Sequence, residues 1–144
     1  MNKPTFLLVE DDPQAAILLK RIFKKKARDI TITVASDGAE ALQYLTGTPT
    51  AGQQLQELPA LVLLDLDLPK VHGLEVLRRL RAHPRTATLP VIILTSDREI
   101  DAATGYTLGA NSFMRKPLDF DEFLRTIVKI GLVTFAKPAA RSDN

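Results

Sequence analysis

Five short apolar runs alternate with five segments of helical spacing, and this alternation restricts the possible folds more than any other feature. Parallel strands need long crossover connections, which helices usually supply, so strict alternation indicates a parallel sheet with helices on both faces. The runs FLLV, LVLL and VIIL are apolar at every position, as expected for strands buried on both sides. We therefore predict an α/β fold with a doubly wound, five-stranded parallel sheet.

The predicted helices differ in how clearly the sequence marks them. The second is expected from Ala39 to Leu45, and the fourth from Asp97 to about Leu108. Gly105 inside the fourth costs about 1 kcal/mol relative to alanine, so this helix should be the easiest to shift. The last helix carries the clearest apolar stripe and is expected to pack it into the core. That stripe consists of Phe120, Phe123, Leu124, Ile127 and Val128.

Two segments do not fit the alternation of strands and helices. Residues 46–58 (TGTPTAGQQLQEL) have no clear periodicity and are long for a connection within a domain. We divide the chain into a domain at 1–130 and a tail at 131–144, which begins apolar and ends polar. The apolar part either folds back or contacts a partner, and its polar end is expected to fray. The candidates for a homodimer contact are Leu132, Val133 and Phe135.

The composition excludes several classes of function. The 144 residues fit one domain, and the absence of cysteine excludes disulfides, thiolate catalysis and zinc–thiolate sites. A net charge of +2 is too small to argue for nucleic acid, and the basic run from Lys20 to Arg28 complements the dipole at the end of the first helix. No run is long and apolar enough for a membrane span or signal peptide. We therefore expect a cytoplasmic protein without a nucleic-acid or membrane partner.

Polar residues follow four of the predicted strands at their carboxyl ends. They are Glu10, Asp11, Asp65, Thr95 and Lys116. In an open parallel sheet these ends share the crevice where ligands bind. Three adjacent carboxylates repel one another unless a cation holds them ionised, and Mg²⁺ binds carboxylates while leaving positions for phosphate oxygens. A carboxylate can also act as a nucleophile and accept a phosphoryl group. A lysine would then offset the charge of that group, and a hydroxyl could donate a hydrogen bond to one of its oxygens.

Each of these residues also has a simpler interpretation. A strand-end aspartate is often a helix cap, and Asp12-Pro13 could simply begin a helix. Thr95 alone fits a strand, and Lys116-Pro117 fits the end of a loop. Their joint placement at one edge of the sheet favours a phosphoryl-accepting magnesium site.

The motifs VEDDP, LLDLDLP, LTS and RKPLD, in this order and spacing, resemble the response-regulator receiver domain of two-component signalling over about residues 5–130. The resemblance implies a flavodoxin-like sheet of order 2-1-3-4-5 and a phosphoacceptor at Asp65. It also implies roles for six further residues: metal binding by Glu10, Asp11 and the backbone carbonyl of Asp67, a switch hydroxyl on Thr95, a phosphate contact by Lys116, and a mobile aromatic at Phe113.

The resemblance also implies how such a switch works. Thr95 moves towards the phosphoryl group, and the space that it leaves admits Phe113, although Phe113 fits equally well as a core residue of a short strand. The Lys116-Pro117 bond matches one that is commonly cis in the family. Asp67 and Asp97 occupy positions that influence how fast the phosphoryl group is lost, and the sequence leaves open whether they orient water or repel it.

Within the family, the long loop, HPRTATLP and GANSFMRKPLDFDEF resemble the small standalone receivers that accompany bacterial phytochromes. This implies a histidine kinase or phosphotransfer protein as donor, docked near the first helix, and output through protein contacts. Ala16 and Leu19 could serve in that docking or lie in the core. The expected chemistry is limited to the chain's own phosphorylation and dephosphorylation.

Two alternatives remain at this stage. The DxD of Asp65 and Asp67 is similar to that of haloacid-dehalogenase-type phosphatases, which also form aspartyl phosphates. In that family the nucleophile usually follows the first strand, with Thr or Val two places after the second aspartate, where this chain has Pro69. The other alternative is a receiver-like scaffold that is never phosphorylated, which the complete acidic set disfavours.

Overall fold

A computed structural model describes residues 4–47, 57–66, 68, 71–96 and 102–131. Within these residues strands and helices alternate as predicted, and the strands pair in parallel in the order β2-β1-β3-β4-β5. The predicted fold class is therefore confirmed. The elements are β1 (Thr5–Val9), α1 (Pro13–Lys26), β2 (Thr31–Ala35), α2 (Gly38–Thr46), β3 (Leu61–Asp65), α3 (Gly73–Ala82), β4 (Val91–Thr95), α4 (Ala102–Thr107), β5 (Ser112–Arg115) and α5 (Phe120–Lys129).

The sheet separates two apolar layers. On one face, α1 and α5 pack against the sheet around Phe6, Phe23 and Phe123, whose rings meet edge to face at centroid distances of 5.3 to 6.1 Å. On the other face, the helices α2 and α3 pack against residues such as Leu64 and Ile93. The central strands are apolar except at one end residue each, because their alternate residues enter both layers.

Short polar side chains mark where the helices begin. Asp12, Asp37 and Asp119 each accept a hydrogen bond from a backbone N–H of the first turn of α1, α2 and α5. His72 does the same for α3 through its Nδ1 atom. These bonds satisfy backbone donors that have no partner within the helix. The simpler interpretation of Asp12-Pro13 as a helix start is therefore confirmed for Asp12, while Glu10 and Asp11 lie just before it.

The structure corrects two details of the predicted helices. Val128, expected in the core, is 47% exposed, because Ile127 makes the contact with the sheet and the next residue round α5 turns to solvent. The helix α2 begins at Gly38, one residue earlier than expected, where Asp37 caps it.

The helix α4 spans Ala102–Thr107, and the first part of its predicted range, residues 97–101, lies outside the described residues. Gly105 is buried there, and a Cβ atom at this position would lie 2.6 Å from Ile93 Cδ1. Its lack of a side chain therefore allows α4 to approach β4 closely. No helix in the described part of the chain is long and apolar enough to cross a membrane.

Candidate functional site

Parallel pairing brings the predicted polar residues to one edge of the sheet. Asp65 ends β3 and pairs with Leu94, so Thr95 ends β4 one position further on. Glu10 directly follows β1, where its N–H donates to the carbonyl of Ala35. These backbone bonds hold the ends of the strands side by side. We call this edge, formed by Glu10, Asp11, Asp65, Thr95 and Lys116, the carboxyl edge.

Three carboxylates meet at the carboxyl edge. Oxygen atoms of Glu10, Asp11 and Asp65 all lie within 4.8 Å of one another. Glu10 is 5% exposed and Asp65 4% exposed, whereas Asp11 faces solvent. Like charges this close, two of them largely removed from water, are costly without a counter-charge.

Lys116 supplies one positive charge to this cluster. It follows β5, and its N–H donates to the carbonyl of Thr95 at 3.0 Å. Its Nζ atom donates to Glu10 Oε1 at 2.6 Å and to Asp65 Oδ2 at 2.8 Å. One ammonium group therefore bridges two carboxylates that are 55 residues apart in the sequence. Its single positive charge leaves the charge of two of the three carboxylates unmatched.

The pKa directions agree with this shortage of positive charge. Burial raises the pKa of Glu10 above its ordinary value, and the hydrogen bonds from Lys116 and from the backbone of Asp12 only partly offset that effect. Burial also acts to lower the pKa of Lys116, but its hydrogen bonds to Asp65 and Glu10 outweigh burial and raise it. Lys116 therefore stays protonated, whereas burial disfavours the charged form of Glu10.

The donor set fits a hard divalent cation. It consists of carboxylate oxygens, and the described residues place neither cysteine nor histidine among them. Mg²⁺ prefers such oxygens and commonly binds through one or two carboxylates, keeping water molecules that phosphate oxygens can replace. A cation here would also neutralise the charge that Lys116 leaves unmatched. The residues that would hold it are Glu10, Asp11 and Asp65, whereas Asp67 lies outside the described residues.

Of the two predicted switch residues, Thr95 lies on β4, next to the strand of Asp65, and Phe113 lies on β5, one strand further. Thr95 is 1% exposed at the end of β4. Phe113, on β5, is half-buried against the apolar layer that contains Ile93, and its Cδ2 atom lies 3.6 Å from the position that a Cβ of Gly105 would occupy. The Lys116-Pro117 bond is cis, as expected from the resemblance.

An apolar groove of about 370 Å³ opens beside the site. Its walls come from α1, the end of β4 and the segment after β5, and it shares Glu10 and Lys116 with the carboxyl edge. The remaining lining residues are Leu8, Ala15, Leu18, Leu19, Ile22, Leu94, Ser96, Pro117 and Leu118. The sequence suggested only Leu19 among these as a docking residue, because nothing in the pattern of α1 shows that its exposed apolar residues adjoin the segment after β5.

The structure therefore brings Glu10, Asp11, Asp65 and Lys116 into one cluster and sets Thr95 on the adjoining strand. The roles of these residues stay predictions. Phe113 lies on the same sheet, one strand further from Asp65. The remaining predicted positions lie outside the described residues: Asp67, Asp97, Leu132, Val133 and Phe135.

Comparison with known proteins gives a match to the response regulator receiver domain over residues 6–128. A solved structure of the bacteriophytochrome response regulator AtBRR is 41% identical, with a TM-score of 0.78 over 90% of this chain and 93% of that one. The probable methanogenesis regulatory protein FilR2 of Methanothrix harundinacea is 39% identical over 86% of this chain and 79% of its own length.

The response regulator Rcp1 of Synechocystis is 31% identical over 96% of this chain and 97% of its own length. Other curated relatives are longer, and the chain spans 47% and 57% of the length of two of them. The same domain thus occurs in relatives of similar length and in longer proteins.

Proposed function

Because the chain belongs to the response regulator receiver domain family, we propose that it is a response regulator that accepts a phosphoryl group on Asp65, with Mg²⁺ bound beside it. The observation that carries this proposal is the bridge from Lys116 Nζ to both Asp65 and Glu10 within a cluster of three carboxylates. That family is a signalling family rather than one of metabolic enzymes. The chemistry proposed for this chain is limited to its own phosphorylation and dephosphorylation.

The proposed reaction is an in-line phosphoryl transfer. An Asp65 carboxylate oxygen attacks the phosphorus of the donor, the bond from phosphorus to the donor breaks, and the donor departs with the bonding electrons. Mg²⁺, when bound, neutralises charge on the transferred oxygens. Lys116 Nζ lies 2.8 Å from Asp65 Oδ2, so a phosphoryl group on that carboxylate is within its reach.

Signal transmission starts at Thr95. Phosphorylation adds a charge of about −1.5 to −2 and new acceptor oxygens at Asp65. The buried Thr95 hydroxyl, on the adjoining strand, moves to donate to one of them. Phe113 then enters the space that this movement vacates, which changes the surface formed by α4, β5 and α5. Output follows through a protein partner that distinguishes the two surfaces.

The proposed donor is the phosphohistidine domain of a histidine kinase or phosphotransfer protein. The groove beside the site supports this choice, since it is apolar and continuous with Glu10 and Lys116. On α1, Leu18 is 59% exposed and Ile17 is also exposed, so a partner helix docked there would bury both and deliver its histidine to the crevice. Ala16 is buried in the core, whereas Leu19 lines the groove and packs only partly against the core, so we propose Leu19 for the docking surface.

A bacteriophytochrome kinase is the specific donor that we propose, with the likeness to AtBRR as support. We propose a cytoplasmic location for this protein, as the sequence predicts. We also retain a homodimer as part of the proposal. Its contact residues, predicted at Leu132, Val133 and Phe135, lie outside the described residues.

Incubation with acetyl phosphate and Mg²⁺, followed by intact mass measurement, tests the phosphoacceptor. We expect an adduct of roughly 80 Da on the wild type, and none on Asp65→Asn or after chelation of Mg²⁺. The matched control is Asp29→Asn, an exposed aspartate before β2, which should be labelled like the wild type. Equal labelling of Asp65→Asn would refute the assignment, and sustained turnover of p-nitrophenyl phosphate would favour the phosphatase alternative.

A further inference from the structure

Arg115, the last residue of β5, stacks on a residue that the proposed switch must move. Its guanidinium carbon lies 4.8 Å from the centre of the Phe113 ring. A cation within about 6 Å of an aromatic face is attracted by the ring quadrupole, and arginine is the commonest partner in such pairs. Because successive residues of a strand point to opposite faces, Phe113 and Arg115 share the α4 side of β5, whereas Met114 is buried on the α1 and α5 side.

The position of Arg115 connects it to the whole proposed switch. In the β4–β5 ladder Arg115 is the direct partner of Thr95, and the next residue is Lys116. Phe113 is the partner of Ile93, two positions back on the same strands. The residue that stacks on the ring is therefore the neighbour of Thr95 across the ladder and of Lys116 along the strand.

We propose that Arg115 is a positioning residue that holds Phe113 in its half-buried place and thereby sets how readily the switch responds. The inference rests on the proposed function, in which Phe113 moves inward once Thr95 moves. Inward movement would carry the ring away from the exposed Arg115 side chain and lose the stack. The stack on Arg115 thus disfavours the inward position of the Phe113 ring until phosphorylation makes space beside Thr95.

The expected size of this effect follows from the strength of such a stack. At an exposed site it corresponds to a factor of about two to five in an equilibrium constant. Loss of the stack should therefore increase the ratio of inward to outward ring by about two- to fivefold in the unphosphorylated protein. It should not abolish phosphorylation, since Glu10, Asp65 and Lys116 keep the bonds that they make with one another.

Fluorine NMR of a 4-fluorophenylalanine placed at position 113 measures this ratio. The unphosphorylated chain and the chain labelled with acetyl phosphate and Mg²⁺ give the two reference shifts. The variants are Arg115→Met, which removes the charge, and Arg115→Lys, which keeps it but stacks less well. The control is Lys26→Met, which removes a cation 5.9 Å from the ring of Phe120, on the other face of the sheet.

We expect Arg115→Met to shift the unphosphorylated resonance towards the phosphorylated reference, Arg115→Lys to lie between it and the wild type, and Lys26→Met to match the wild type. A ring with two further fluorines has a weaker quadrupole and nearly the same size, so in the wild-type background its unphosphorylated resonance should lie closer to its own phosphorylated reference than that of the monofluorinated ring does. An Arg115→Met resonance identical to that of Lys26→Met would overturn the inference. Mass measurement on the same samples keeps the two proposals apart, since a missing Asp65 adduct refutes the phosphoacceptor rather than the role of Arg115.

Discussion

The two edges of the sheet use polar side chains in opposite ways. At the end where β4 and β5 begin, which we call the amino edge, Arg81, Thr86 and Asn111 form hydrogen bonds with the backbone and with one another. At the carboxyl edge, three carboxylates cluster around one lysine, which bonds two of them. The first set satisfies itself within the chain, whereas the second leaves negative charge that a bound cation would neutralise.

The amino edge is built around one arginine. Arg81, at the end of α3, donates to the carbonyls of Thr86 and Gly109 and to Asn111 Oδ1 at 2.9 to 3.1 Å. The same Asn111 oxygen accepts from the backbone N–H of Val91 at 2.9 Å. Arg81 thereby ties α3 to the segments that lead into β4 and β5.

The contrast shows how burial and charge separate a structural cluster from a functional one. Both edges contain partly buried polar groups, and in both each group needs a partner because its water has been removed. At the amino edge, neutral carbonyls accept hydrogen bonds from a cation, so the partners are supplied within the fold. At the carboxyl edge, carboxylates outnumber cations and negative charge is left over, so the stability of this edge should depend on Mg²⁺.

The largest effect is expected for Lys116→Met at the carboxyl edge. The substitution leaves Glu10 and Asp65 buried without their cation, so it should lower the free energy of unfolding by about 3 kcal/mol in EDTA. Saturating Mg²⁺ should restore most of this loss, because binding to the folded state adds stability. Urea unfolding with and without Mg²⁺ measures both. The exposed Lys20→Met is the control, and an equal loss with and without Mg²⁺ would contradict the contrast between the edges.

A smaller effect is expected for Arg81→Ala at the amino edge. It removes three charge-assisted hydrogen bonds from a half-buried position and should cost about 2 kcal/mol. The cost should be the same in EDTA and in saturating Mg²⁺, in the same urea experiment. The exposed Arg28→Ala should stay within about 0.5 kcal/mol of the wild type. A magnesium-dependent loss for Arg81→Ala would show that the two edges are coupled.

The smallest effect is expected for Glu75→Gln, a reference for ion pairs in solvent. Hydrogen bonds from Arg78 and Arg79 lower the pKa of Glu75 from 4.5 to about 2. A lowered folded-state pKa means that the charged group stabilises the fold above pH 4.5, and that this contribution is lost as the pH falls from 4.5 to about 2. Because solvent screens the pair, Glu75→Gln should change the slope of stability against pH only slightly.

Thermal unfolding across this pH range measures that slope. It should be flatter in Glu75→Gln than in the wild type, and the exposed Glu57→Gln should keep the wild-type slope. Parallel curves for Glu75→Gln and the wild type would mean that its two arginines contribute nothing measurable.

Prediction from the sequence succeeded where a local rule decides the outcome. Apolar runs such as FLLV identified buried strands, and Asp12 before Pro13 identified the start of a helix. Prediction failed where a local pattern is compatible with more than one way of packing the element. The stripe of α5 correctly placed Ile127 in the core and wrongly included Val128, because a helical pattern defines a face but not how wide a contact the neighbouring sheet offers.

The candidate site divides in the same way. The sequence sufficed to place Glu10, Asp65 and Lys116 at one edge, because the carboxyl ends of parallel strands lie together. It did not indicate that Lys116 would bridge the other two, nor that Arg115 would stack on Phe113. Those contacts depend on distances of a few ångströms between side chains.

What the sequence determined by itself is therefore the order of the elements and the chemistry at the strand ends, since both follow from the periodicity and type of neighbouring residues. Only the tertiary structure decided which of those groups touch. Arg81 reaches Asn111 across 30 residues, and Lys116 reaches Glu10 across 106. The physical reason is that contacts between distant residues are selected by the packing of the whole core, which no local pattern encodes.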